Sequence, residues 1–131
     1  MIVIDASAAL ELLLRTEKGK KVEARVFATD ERLHAPHLMD IEVTQALRRL
    51  TLLKEINSTR AKIALGDYAA LFIERSPHHD FLLRIWDLRD SVTAYDAAYV
   101  TLAEALEAPL LTCDGKLARS HGHRAKIELI E

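Results

Sequence analysis

The first four residues, "MIVI", are apolar with no polar alternation, the pattern of a short strand buried on both faces, and the run stops at Asp5. Helix-favouring "ASAALELLL" follows, which puts a strand-to-helix turn at Asp5. A second helix is predicted over "KGKKVEARVFATD" and a short strand over "RLHA", ending at Pro36. "PHLMDIEVTQALRRLTLL" carries apolar residues at 39, 43, 46, 47, 50 and 53, a helical stripe, with Pro36 suited to its first turn. The next helix is "NSTRAKIALGDYAALF", capped by Asn57 or Ser58. "IERSP" reads as a short edge strand, "HHDFLLRIWDLRD" as helix, and "TAYDAAYVTLAEALEA" as a helix with apolar residues at 95, 99, 102 and 106, ended by Pro109. A second wholly apolar strand, "LLTC", precedes a turn and short helix in "DGKLARSH" and a final strand in "KIELI". Strands alternating with helices predict an α/β fold with a parallel sheet covered on both faces. No repeat or linker interrupts the pattern, so residues 1–131 read as one domain.

Composition narrows the setting more than the chemistry. Half of the residues are apolar and 29% charged, as in ordinary globular proteins. A lone Cys113 excludes an internal disulfide, and the N-terminus has no signal-peptide pattern, so a cytoplasmic location is expected. With no apolar run of about 20 residues, a membrane role is not expected. The formal charge of −2 argues against nucleic-acid binding by global positive charge. Cations do cluster locally, at Arg48, Arg49, Lys54, Arg60 and Lys62, and again in "KLARSHGHRAK", although solvated helix faces look the same.

The carboxylates carry the candidate chemistry. Asp5 and Asp114 each end a predicted buried strand and precede a helix, so both should face the crevice at the carboxyl edge of a parallel sheet. Each is also a good helix cap. Asp96 has a similar explanation, because with Thr93 as cap it occupies the third helical position, near the positive end of the helix dipole. Glu42 lacks that excuse. It falls in the second turn, its neighbours three and four residues away are Leu38, Met39, Gln45 and Ala46, and it borders the apolar stripe. A half-buried carboxylate so placed needs a cation. Asp40, in the first turn, is accounted for by the dipole, and Glu11 by an i+4 pair with Arg15. Four carboxylates brought together repel one another, and hard oxygen ligands of this kind suit Mg²⁺ or Mn²⁺. A metal in such a pocket activates water and stabilises charge on a phosphodiester, the logic of one- and two-metal nucleases.

"VIDASAAL", "PHLMDIEVTQALRRL" and "TAYDAAYVTLAEALEAPLLTCDGKLAR", in that order, resemble the PIN-domain ribonucleases, specifically the VapC-type toxins of toxin–antitoxin pairs. The resemblance covers nearly the whole chain and implies a three-layer α/β/α sandwich with an acidic pocket for Mg²⁺ or Mn²⁺. It implies catalytic and metal-binding roles for Asp5, Glu42, Asp96 and Asp114, with Ser7 and Thr112 supporting the pocket. It further implies endonucleolytic cleavage of RNA, often tRNA or ribosomal RNA, a small VapB-like antitoxin as partner, and a homodimer. Where some members carry one more acid after the quartet, this chain has Gly115, Lys116 and Leu117. The expected mechanism is in-line attack on the scissile phosphate by metal-activated water, without a covalent intermediate. Arg48, Arg49, Lys116 and Arg119 follow Glu42 and Asp114 in sequence and are candidates for phosphate contacts. Tyr68, Tyr95 and Tyr99 can stack on bases but read better as core or interface residues. A different class of function is a PIN-like protein that binds RNA or its antitoxin without cutting. A phosphatase of the haloacid-dehalogenase type would need an aspartate at position 7, where this chain has Ser7.

Overall fold

The computed structural model describes residues 1–131. Its strands are β1 (Ile2–Ile4), β2 (Leu33–Pro36), β3 (Ile73–Ser76), β4 (Leu110–Thr112) and β5 (Ile127–Leu129). All pair in parallel, in the order β3-β2-β1-β4-β5. The helices are α1 (Ala6–Leu13), α2 (Glu17–Val26), α3 (Leu38–Leu52), α4 (Ser58–Ala70), α5 (Leu82–Asp87, after a 3-10 turn at His79–Phe81), α6 (Ala94–Leu106) and α7 (Gly115–Ala118). The chain winds from β1 outward to β3, then crosses to β4 and β5. With right-handed crossovers, that path puts α1 to α4 on one face and α5 and α6 on the other. The contacts agree: α1 packs on α2, α3 and α4, while α5 packs on α6 and α6 lies under β1, β2 and β4. The layers are therefore α/β/α. No helix is long and apolar enough to cross a membrane.

β1 sits at the centre because every one of its residues is fully buried. Its neighbour β4 is equally buried, in register Val3 to Leu110 and Ile4 to Leu111. The order reverses between β1 and β4, which makes their carboxyl ends the crevice where ligands bind in open parallel sheets. Side-chain caps fix where the helices start. Asp5, Thr16, Asn57, Thr93 and Asp114 accept from backbone N–H groups of Ala8, Gly19, Arg60, Asp96 and Lys116.

Several expectations are corrected. Pro36 is the last residue of β2 rather than part of the helix, and His37 precedes α3 without a side-chain cap. Pairing of Pro36 with Ser76 on β3 holds it in the sheet. Helix α2 stops at Val26, short of Asp30. The Glu11–Arg15 pair does not form. Arg15 adopts a left-handed backbone (φ 56) as α1 ends, and the Glu11 carboxylate accepts instead from the Thr16 hydroxyl. Asp40 is held by more than the dipole: its Oδ1 accepts from Tyr68 at 2.6 Å and from Arg75 Nε at 2.8 Å, tying α3 to α4 and β3. Helix α6 is buried continuously from Ala97 to Ala103, so it has no simple stripe, and Tyr95 at its start is exposed.

Helices α1 and α2 meet at Gly19, where an added Cβ would lie 2.0 Å from the Glu11 carbonyl oxygen, whereas one at Gly66 would meet nothing. Gly19→Ala is expected to lower stability by about 1–3 kcal/mol through overpacking. Gly66→Ala, inside α4, should raise it by up to about 1 kcal/mol. Thermal melts of the two variants check both signs.

Candidate active site

Asp5 leaves the end of β1 with its carboxylate almost wholly buried. Its Oδ1 accepts from Ser7 Oγ at 2.7 Å and Ala8 N at 3.0 Å, and its Oδ2 from Thr112 Oγ1 at 2.5 Å. Burying an ionised carboxylate is costly unless donors meet it. The two hydroxyls are fully committed. Ser7 Oγ accepts from Cys113 N at 2.9 Å and Thr112 Oγ1 from Asp114 N at 3.0 Å, so each spends its one proton on Asp5 and accepts from the chain leaving β4. The 3.2 Å approach of the two hydroxyl oxygens to each other therefore has no proton to share. Ser7 and Thr112 thus join Asp5 to the segment that carries Asp114.

Asp114 follows the end of β4, and Asp96 and Glu42 arrive from helices on opposite faces of the sheet. Asp114 begins α7 and uses Oδ1 to accept from Lys116 N at 2.9 Å. Asp96 is the third residue of α6, one turn before Tyr99. Glu42 lies in the second turn of α3, half-buried, and its Oε1 accepts from the Tyr99 hydroxyl at 2.6 Å. The sequence offered Tyr99 as a residue able to stack on bases and better read as core or interface, not as a partner of a carboxylate. Its signal was present, three residues after Asp96 on a helix buried all round, but the partner on α3 was not readable.

These four groups form one electrostatic cluster. Burial raises the Asp5 carboxyl above its ordinary value of 3.8 despite its donors, and the charge of Asp114 adds to the rise. Glu42 is raised above 4.5 by burial and by Asp96 and Asp5, against the hydrogen bond from Tyr99. Asp96 is raised by burial and by Asp114 and Asp5, with Thr93 and the Lys116 charge opposing. None of the four belongs to any of the eight salt bridges. In this conformation no group of three or more His, Cys, Asp or Glu side chains is placed to hold a metal ion. The donor set nevertheless fits a hard divalent cation: oxygen ligands only, negative, mutually repelling and in no salt bridge with a protein cation. Cys113 is not a rival centre, since burial and the Asp5 charge push its thiol up to about 11.

The candidate phosphate contacts separate. Arg49 lines a 910 Å³ groove between α1 and α3 together with Ser7, Glu42 and Tyr95. Arg48 is exposed six residues after Glu42, about 240° around the helix at 100° per residue, on another side. Lys116 lines a 290 Å³ cavity that Asp96 also walls. The Arg119 guanidinium lies over Gly115, with Nη1 3.0 Å from where a Cβ would be. Tyr68 and Tyr99 are buried and bonded to Asp40 and Glu42, which leaves only Tyr95 exposed for stacking.

The PIN domain family model matches residues 2–121. Ribonuclease VapC12 of Mycobacterium tuberculosis is 44% identical over 130 residues, covering 99% of this chain and 99% of its own. Among solved structures, PAE2754 from Pyrobaculum aerophilum superposes with a TM-score of 0.68 at 26% identity, covering 96% of this chain and 87% of its own. VapC20, a sarcin-ricin loop cleaving toxin of Mycobacterium tuberculosis, superposes at 0.67 with 13% identity, over 90% of this chain and 93% of its own, a likeness of fold.

Two outcomes follow from the cluster. Thr112→Val leaves a buried carboxylate short of a donor and should cost about 1–3 kcal/mol in urea unfolding. Because Asp5, Glu42 and Asp96 have raised values, the folded protein binds protons more readily than the unfolded chain. The metal-free protein therefore loses stability from this source as pH rises through the raised values and regains it on acidification toward about pH 4. A cation removes the penalty, so millimolar Mg²⁺ should raise Tm more at about pH 7.5 than at about pH 5. Equal shifts at both pH values would count against uptake by these carboxylates.

Proposed function

The chain belongs to the PIN-domain family, and from that membership we propose that it is a VapC-type ribonuclease, the toxin of a toxin–antitoxin pair. The observation that carries the reading is the identity to Ribonuclease VapC12 along almost the full length of both chains. The cluster of four carboxylates, none of them in a salt bridge, supports it, because helix capping accounts for Asp5 and Asp114 singly but not for the gathering of all four at one edge of the sheet.

In this reading Asp5, Glu42, Asp96 and Asp114 hold Mg²⁺ or Mn²⁺. Such an ion, when bound, supplies Lewis acidity to a phosphodiester and to the water that attacks it in line. The chain's own residues do the positioning. Ser7, Thr112 and the Ala8 N–H hold Asp5 in one orientation at the end of β1. Tyr99 donates to Oε1 of Glu42 and leaves Oε2 without a hydrogen bond. The Lys116 N–H occupies Oδ1 of Asp114 and leaves Oδ2. One oxygen each of Glu42 and Asp114 is thus held by a hydrogen bond, and the other is free of one. No side chain is a suitable covalent nucleophile, since the hydroxyls of Ser7 and Thr112 are engaged and the Cys113 thiol is protonated at neutral pH.

The substrate is RNA, with a tRNA or ribosomal RNA loop the expected target. A VapB-like antitoxin covers the acidic crevice, and the protein works as a homodimer. Purified protein with Mg²⁺ is expected to cut RNA, and chelator to stop it. Asp96→Asn should lower cleavage by about a thousandfold, given that such metal sites contribute several kcal/mol to the transition state. Its melting temperature should stay at or above that of the parent. Wild-type cleavage by Asp96→Asn would overturn the site, and absence of cleavage by the parent protein would leave a binding protein in its place.

A further inference from the structure

Two cavities border the carboxylate cluster, and their charge differs. The 910 Å³ groove reaches Ser7 and Glu42, but its walls include Leu10, Leu14 and Leu53, and it carries Glu11 and Glu55 against the single cation Arg49. The 290 Å³ cavity shares Asp96 as a wall and is lined by Arg89, Ser91, Thr93 and Lys116, with Asp90 as its other acid.

Arg89 and Lys116 are the cations of this cavity, and Lys116 lies near enough to Asp96 for its charge to act on that carboxylate. Neither forms a salt bridge with a carboxylate. The Arg89 guanidinium stacks over Trp86, 4.7 Å from the ring centroid, and Nη1 donates to the Trp86 carbonyl oxygen at 3.1 Å. Those contacts fix the side chain while leaving its remaining N–H groups unused, so less rotamer freedom is lost when it meets a ligand. Lys116 is anchored from the other side, its backbone N–H on Asp114. The two cations come from different elements, the α5–α6 connection and α7, and meet only in the folded chain.

A polyanion brought to four carboxylates is repelled unless its neighbouring phosphates meet positive charge. The groove along α3 offers apolar walls and further acids. The cavity beside Asp96 sets two cations, neither in a salt bridge, against Asp90 and Asp96 and adds hydroxyl groups, so it lacks the excess of acids found in the groove.

We propose that the cavity between Arg89 and Lys116 binds an RNA phosphate adjacent to the one at the carboxylate cluster, so that the strand passes over the Leu88–Thr93 connection rather than along the α1–α3 groove. This rests on the ribonuclease reading for its substrate, but the binding is separable from cleavage. Being a backbone contact, it positions RNA without selecting sequence.

The test is fluorescence anisotropy of labelled octauridylate with the full chain in chelator, where cutting does not interfere, titrated across salt concentrations. Arg89→Ala and Lys116→Ala should each weaken binding several-fold at low salt. Each should also reduce the slope of log affinity against log salt by about 0.7, the value of one phosphate contact on a single strand. Arg32→Ala removes an exposed cation that precedes β2, at the opposite edge of the sheet, and should leave the slope unchanged. Arg89→Ala with the slope of Arg32→Ala overturns the proposal, whether or not the protein cuts RNA. Cleavage that survives Asp96→Asn overturns the catalytic reading instead, and the anisotropy comparison still decides the phosphate site.

Discussion

The buried carboxylate of Asp5 is the constraint on which the site depends. At the end of the central strand it must be met by donors, and the chain supplies one backbone N–H and two hydroxyls that each have a single proton to give. Once those protons are committed, the hydroxyl lone pairs accept from Cys113 and Asp114. One solvation problem at the β1 end therefore sets how β4 exits and where Asp114 stands. The hydrophobic pairing of β1 with β4 brings the strands together, and the polar network decides what their ends present.

Charge is segregated across the molecule. Arg25 is spent on Glu128 and Glu31, Arg75 on Asp40, and Arg84 on Glu104, and the acids Glu31, Asp40 and Glu104 are held below their ordinary ranges. Asp5, Glu42 and Asp96 move the opposite way, because burial outweighs the donors that reach them and neighbouring carboxylates add to the rise. A fold that can pair its carboxylates and leaves one group unpaired concentrates its electrostatic cost there, the pattern expected where function and stability compete.

Much of the fold was legible because it follows from local pattern. "MIVI" and "LLTC" read as parallel strands since a sheet covered on both faces leaves no polar side. Thr93 and Asn57 announced their helices as caps. Misreadings came where tertiary contact overrode pattern. Pro36 joined the sheet through Ser76, Arg15 turned left-handed and released Glu11, and Tyr95 lay outside on a helix whose other faces are covered. Glu42 was singled out because a half-buried acid with no helical partner was expected to need a cation; the group that the fold places on it is the Tyr99 hydroxyl.

The sequence by itself determined the class of fold, the edge of the sheet where a site would form and the residue types available to it, because periodicity, capping and strand burial act over a few neighbouring residues. The resemblance carried by its three segments added the family. Only the tertiary structure decided which groups meet: Ser7 and Thr112 on one carboxylate, Tyr99 on Glu42, and Arg89 beside Lys116 near Asp96. Those meetings depend on strand order and on helices from opposite faces converging at one edge, and such long-range geometry leaves no local trace in the order of residues.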